Sequence, residues 1–170
     1  RRHTRYISVT GVQTCALPIS VTTTAQRNSI RKSLIEAYPQ FTFMEAESAR
    51  WSFDTKTVYY RLIDTDEALA ELFHELGHGL SHHSSYVQDV ELIAMERQAW
   101  DAALTLAETY DFAIDTDMIE SSLDSYREWL HARSRCPQCM QAGIQDRDSN
   151  QYYCALCGRS EEHTSELQSH

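Results

Sequence analysis

No apolar run in this 170-residue chain is long enough to cross a bilayer, so nothing in it reads as a membrane-spanning helix. Positive charge is scarce. Fifteen Lys and Arg face 25 Asp and Glu, for a formal net charge of -10. That balance argues against a generic nucleic-acid coat, which needs a basic face to neutralise phosphates, although it does not exclude a local basic patch. Internal repeats and low-complexity tracts are missing as well. What is present, 42% hydrophobic and 24% charged residues, is ordinary for a globular chain with room for one domain and a small appendage.

The two ends carry a signal of their own. The tail RSEEHTSELQSH (residues 159–170) and the segment VTGVQTCALPI (residues 9–19) can be encoded by opposite strands of one short DNA segment. That segment resembles a common sequencing-library adapter, and RRHTR matches its flank. Residues 1–20 and 159–170 are therefore expected to be translated adapter and are set aside from fold reasoning. The signal-like stretch VQTCALPIS then loses its weight, and Cys15 drops out to leave four cysteines. With no credible secretory mark, the expected location is cytoplasmic.

Between these ends, Ile30, Leu34, Ile35 and Tyr38 recur at helical spacing until Pro39 stops the run. Alternation at Phe41 and Phe43, then at Trp51 and Phe53, leads into the β-prone run 57–62. Asp54-Thr55-Lys56 reads as the polar turn of an antiparallel hairpin. Asp64, with Glu67 three residues on, is expected to cap a helix carrying Leu69, Leu72, Phe73 and Leu76. A second helix is expected from about Asp89 to Tyr110, and a third from about Asp117 to Arg133, opened by Asp117 with Glu120.

The first of these helices contains His74-Glu75-Leu76-Gly77-His78, an HExxH sequence. Residues four apart stand one above the other on a helix, so His74 and His78 can grip one zinc ion. Glu75 beside them can act as general base on the zinc's water. Leu72, Phe73, Leu76 and Leu80 bury this helix, and buried histidines need a partner or a metal. Gly77, a poor helix former, suggests a close approach of backbone or substrate.

A catalytic zinc takes a third protein ligand and keeps one open position. Glu96, eighteen residues after His78, falls on the apolar stripe Leu92, Ala99, Ala103 and Leu106 of the next helix, where a carboxylate needs a cation. Its bland reading is a pair with Arg97. Glu91 and Asp101 lie off the stripe and are weaker ligands. His82 shares the His78 face but sits a turn away, and His82 and His83 read as a solvated helix end suited to the dipole. The metzincin extension fails, since Ser81 and Ser84 occupy its Gly and His positions.

LFHELGHGLSH followed by MERQAWDAA resembles the ImmA/IrrE family of bacterial metallopeptidases, over roughly residues 51–109. The resemblance implies a zincin-like fold, a catalytic zinc, Glu96 as third ligand within an ExxA motif, and a protein substrate. That substrate could be a regulatory protein such as a helix-turn-helix repressor. One departure stands out: Trp100 sits where the family usually shows Asn or Asp, which leaves any orienting role of that residue unfilled or taken by another group. An SprT-like protease also joins HExxH to a terminal ribbon, but it draws its third histidine from further downstream, and none lies between His83 and His131. A non-catalytic zinc-binding adaptor is the rival from another class.

Cys136-Pro-Gln-Cys139 and Cys154-Ala-Leu-Cys157-Gly158 give two CxxC knuckles at zinc-ribbon spacing, closed at four thiolates and hence structural. Gly158 suits the turn after a knuckle, and the competing reading is two disulfides or idle thiols. The segment has too few apolar residues to fold without a metal. The expectation is thus α+β. A zincin-like metallopeptidase domain, residues 21–132, has a small antiparallel sheet whose edge binds substrate, and a zinc ribbon follows at 133–158. One zinc would be catalytic and one structural. The partners would be a protein or peptide and no membrane, with nucleic acid reached only through the ribbon.

Overall fold

The computed structural model describes residues 22–158, together with the backbone of 160–161. Residues 1–21, 159 and 162–170 lie outside the described set, so the adapter expectation falls almost entirely there. The chain is α+β, and no described helix is long and apolar enough to cross a membrane. Its elements are α1 Thr24–Ala37, β1 Thr42–Glu45, β2 Arg50–Ser52, β3 Thr57–Tyr60, α2 Asp66–Leu80, α3 Asp89–Glu108 and α4 Thr116–Ser134. Three two-residue strands follow: β4 Ile144–Gln145, β5 Tyr152–Tyr153 and β6 Ser160–Glu161.

Helix starts fall a little away from the expected residues, for local reasons. Thr65, not Asp64, caps α2: it is extended, and its hydroxyl accepts from the Ala68 amide at 3.1 Å. Asp64 instead offers its carbonyl to the buried Arg27, which also donates to Asp66 and so ties α1 to the start of α2. Asp115, not Asp117, caps α4 by accepting from the Asp117 amide. In α3 the Glu91 carboxylate accepts from the Val87 and Gln88 amides, so this acid serves a capping box and no metal.

The hairpin forms as expected, with β2 and β3 antiparallel through Trp51↔Val58 and a turn at residues 53–56. The first sheet is nevertheless mixed. β1 pairs with β3 in parallel, from Thr42↔Thr57 to Glu45↔Tyr60, giving the order β1-β3-β2. The hairpin occupies one side of β3, and the segment between β1 and β3 returns the chain so that β1 joins the other side in the same direction. β2 is therefore the free edge next to α2. Helix α2 is sandwiched between this sheet and α3. Its core face (Leu69, Leu72, Phe73, Leu76) is fully buried with Leu34, Val58, Trp100 and Ala103. Burying one such large apolar side chain is worth roughly 1.5–3 kcal/mol, so these four hold the helix firmly between the sheet and α3.

Gly77 explains how closely α2 and α3 approach. A Cβ at this position would overlap the backbone carbonyl of Ala99 and crowd its Cα at 3.3 Å. The close partner is thus the α3 backbone, three residues beyond Glu96. At the far end, β4, β5 and β6 form a separate antiparallel sheet, β6 coming from the segment expected to be adapter-encoded. This small sheet docks on the start of α3. Asp89, almost fully buried, pairs with Arg133 of α4 at 2.5 Å, accepts from the Tyr152 hydroxyl at 3.1 Å, and its amide donates to Gln145.

Candidate metal centres

His74, Glu75 and His78 are placed by the buried α2, and Glu96 by α3 directly opposite. The His74 and His78 Nε2 atoms lie 3.2 Å apart. Glu96 Oε2 is 3.1 Å from His74 Nε2, and Glu96 Oε1 is 3.6 Å from His78 Nε2. All three residues are buried, with Glu96 only 5% exposed, and their ligand atoms lie within 4.8 Å of one another. This group could hold a metal ion. Glu96 turns to the imidazoles and away from the exposed Arg97, so the bland pairing does not occur. Asp101 is exposed and takes no part.

The electrostatics fit that use. Burial lowers the His74 pKa, leaving a neutral ring with a lone pair to give. Burial alone would raise the Glu96 carboxyl, but the hydrogen bonds of His74 and His78, and after them the charge these rings carry when protonated in acid, outweigh it and hold it at about 2. Glu75 sits beside the trio, where desolvation pushes it up to about 7 against the pull of His78 and a hydrogen bond from the Trp51 backbone. A divalent cation between the imidazoles would draw it down again. Tyr126 of α4 closes one side, its phenol pushed above the ordinary value by burial and by the charges of Glu96 and Glu75.

Trp100 makes no hydrogen bond to His74: its ring stacks on the His74 ring, with centroids 4.1 Å apart and planes 24° apart. His74 Nδ1 and Trp100 Nε1 are both buried, and neither has a partner among the described residues. His83 is not part of a solvated helix end. It is buried, with Nδ1 2.9 Å from His78 Nδ1 and Nε2 2.9 Å from Gln98 Oε1. His82 is the exposed one, with φ +56° in the left-handed region. That single residue reverses the chain and brings His83 back over the helix end. The signal in the sequence was the Ser-His-His run after HExxH, but a histidine is seldom read as the left-handed residue of a helix stop.

The second centre is built from loops. Cys136, Cys139, Cys154 and Cys157 are free thiols whose sulfurs lie within 4.8 Å of one another, so this group too could hold a metal ion. Cys139 and Cys154 are 3.4 Å apart and unbonded, and all four thiols are free, which removes the disulfide reading. Each knuckle ends in the same way. The Met140 amide donates to the Cys136 carbonyl and the Gly158 amide to the Cys154 carbonyl, both at 2.8 Å. Both residues have positive φ, +62° and +66°, as the turn after a knuckle requires. The Cys157 amide also donates to Cys154 Sγ, a bond that favours the thiolate form a metal takes.

Comparison with known proteins gives no matching family model, no matching curated protein and no matching solved structure. The chemistry therefore rests on these two centres as built. A His2Glu set with an acid beside it leaves a four-coordinate ion one open position, whereas four thiolates leave none.

Proposed function

We propose that the chain is a zinc-dependent metallo-endopeptidase with a zincin-like core and a structural zinc ribbon, related to the ImmA/IrrE family. The observation that carries this reading is the convergence of His74 Nε2, His78 Nε2 and the Glu96 carboxylate in a buried site with Glu75 alongside. Two imidazoles and one carboxylate suit zinc, and four thiolates at knuckle spacing suit a structural zinc. Zinc held at the first centre would supply a Lewis acid and lower the pKa of a water there toward neutrality.

The chain's own groups do the rest. Glu75, beside the two imidazoles and held by the Trp51 backbone, is placed to take a proton from the attacking water and pass it to the leaving amine. The edge strand β2 runs beside the site, its Trp51 backbone held by Glu75, and an extended peptide would be taken along this edge by strand addition. Tyr126, near both Glu96 and Glu75 and kept protonated, is a hydrogen-bond donor at the site. A regulatory protein such as a helix-turn-helix repressor is the substrate the family resemblance suggests.

An adaptor that binds zinc without catalysis is the second reading. What favours it is Trp100, which leaves His74 Nδ1 without the acceptor a tuned ligand usually has. The exposed His131 gives an SprT-like ligand set no support. The test is Glu75→Gln assayed on a peptide library by mass spectrometry, with zinc content measured in parallel. A peptidase loses cleavage by about 10²–10⁴-fold while keeping two zinc ions per chain. Undiminished cleavage in the variant, or none in the unaltered chain despite full zinc, rejects the peptidase.

A further inference from the structure

We infer that His83 and Gln98 form a relay that fixes which nitrogen of His78 carries the proton, so that the His78 Nε2 lone pair is presented to the metal. The inference rests on the metal-centre reading above and assigns His83 a positioning role, outside the ligand set.

The relay follows from how α2 ends. Ser81 closes the helix, His82 takes the left-handed conformation, and the His83 amide donates to the His78 carbonyl at 3.0 Å while the His82 amide donates to Gly79 at 3.2 Å. These two bonds are those of a Schellman stop, in which the residue after the left-handed one packs on the residue three back from the helix end. Here both of those residues are histidines, with ring centroids 4.9 Å apart. The indole of Trp51 donates to the His83 carbonyl at 2.8 Å and pins the stop to the sheet.

Proton bookkeeping then gives a direction. A neutral imidazole has one N–H and one lone pair. Gln98 Oε1, 2.9 Å away, accepts from His83 Nε2, so His83 Nδ1 has the lone pair. That lone pair lies 2.9 Å from His78 Nδ1, which must donate to it. The single proton of His78 is thereby spent on Nδ1, and its Nε2 faces His74 Nε2 and Glu96 bare. His74 has no such device among the described residues and is oriented by its stack on Trp100. The centre's two histidines are thus held by different means, one by a tautomer lock and one by packing.

The experiment uses the full zinc-loaded chain. Long-range nitrogen–proton NMR correlations read each tautomer directly, and the expected pattern is Nδ1–H on His78 and Nε2–H on His83. Zinc competition titrations should show affinity at this centre falling about 10–100-fold in His83→Phe. A smaller loss is expected in Gln98→Leu, since Gln98 lies at the surface and water can stand in. Gln98→Glu, which can only accept, should retain the affinity. A His83 found as Nδ1–H, or a His83→Phe chain with unaltered zinc affinity, overturns the relay. A wild-type chain that takes up one zinc ion and not two sinks the metal-centre reading instead, while the His83 tautomer still decides the relay.

Discussion

The two centres face the same task and solve it from opposite ends. The His2Glu site is a by-product of packing: α2 and α3 are pressed together by Leu69, Leu72, Phe73, Leu76, Trp100 and Ala103, and the ligands inherit their positions from that core. The four-cysteine site has almost no core. Three two-residue strands and two knuckles surround it, and among the described residues of this region only Tyr152, beyond the cysteines, is a buried hydrophobic. In the first the fold makes the site, and in the second the site must make the fold. This division suits chemistry that needs one centre open and preorganised and the other closed.

The widest separation between the two should come from removing one thiolate. Cys154→Ser is expected to abolish the ribbon's order, because apparent metal-binding energies of roughly 10–16 kcal/mol are what such modules fold on. Helix content and the His2Glu metal should survive. Circular dichroism with zinc stoichiometry and limited proteolysis will show this, and loss of the whole fold would mean that the helical core leans on the ribbon. At the packed centre the corresponding break is Gly77→Ala. The added methyl meets the Ala99 carbonyl, a backbone group that cannot swing aside, so α3 must retreat and take Glu96 with it. A loss of about 3 kcal/mol in denaturant unfolding is expected, the upper end for overpacking, together with weaker metal at this centre alone.

A third contrast appears in metal-free protein as the pH changes. Glu75 has a folded pKa of about 7 against an ordinary 4.5, so the folded state holds this proton more tightly than the unfolded one. Its contribution to stability is therefore greatest below about pH 4.5 and is lost as pH rises toward 7. Glu96, held at about 2, works the other way: its contribution is present above pH 4.5 and fades only as the pH falls toward 2. Glu75→Gln should consequently stabilise the metal-free chain at pH 8 by on the order of 2 kcal/mol and have little effect at pH 4.5. Equal effects at both pH values would show that the desolvation of Glu75 is not the cause.

Much of this was legible in the sequence because the informative patterns were local. HExxH needs only a helix, and the helix was announced by its own apolar spacing. Glu96 stood out as an acid on an apolar stripe, and the paired CxxC spacing fixes a ligand set with no knowledge of tertiary structure. What escaped depended on conformations or partners that spacing does not encode. The His83 contact hangs on a left-handed His82, the parallel β1–β3 pairing on the path of a connecting segment, and the caps at Thr65 and Asp115 on which of several eligible residues is extended. At Trp100 the sequence leaves the orienting role unfilled or taken by another group, and His74 Nδ1 indeed has no partner among the described residues; the stacked ring beside it depends on the approach of α3 to α2.

The finest test concerns the seam where the two regions meet. Asp89 opens α3, the helix that delivers Glu96 seven residues later, and it is held from both sides, by Arg133 of α4 and by the Tyr152 hydroxyl of the ribbon. Burial, and then the charge of Asp89, raise the Tyr152 phenol above its ordinary value, so it remains a donor at any working pH. Tyr152→Phe removes that hydroxyl and keeps the ring. A hydrogen bond to a charged group is worth about 1.5 kcal/mol at the modest end, and Arg133 remains to hold the carboxylate, so the loss should be close to that value. If the ribbon only rests against the core, the change stops there. If it steadies α3, metal affinity at the His2Glu centre falls too, although the altered residue belongs to the other region. Zinc titration of Tyr152→Phe with the ribbon fully loaded distinguishes these, and an unmoved affinity would show that the two centres share a chain but not a mechanical link.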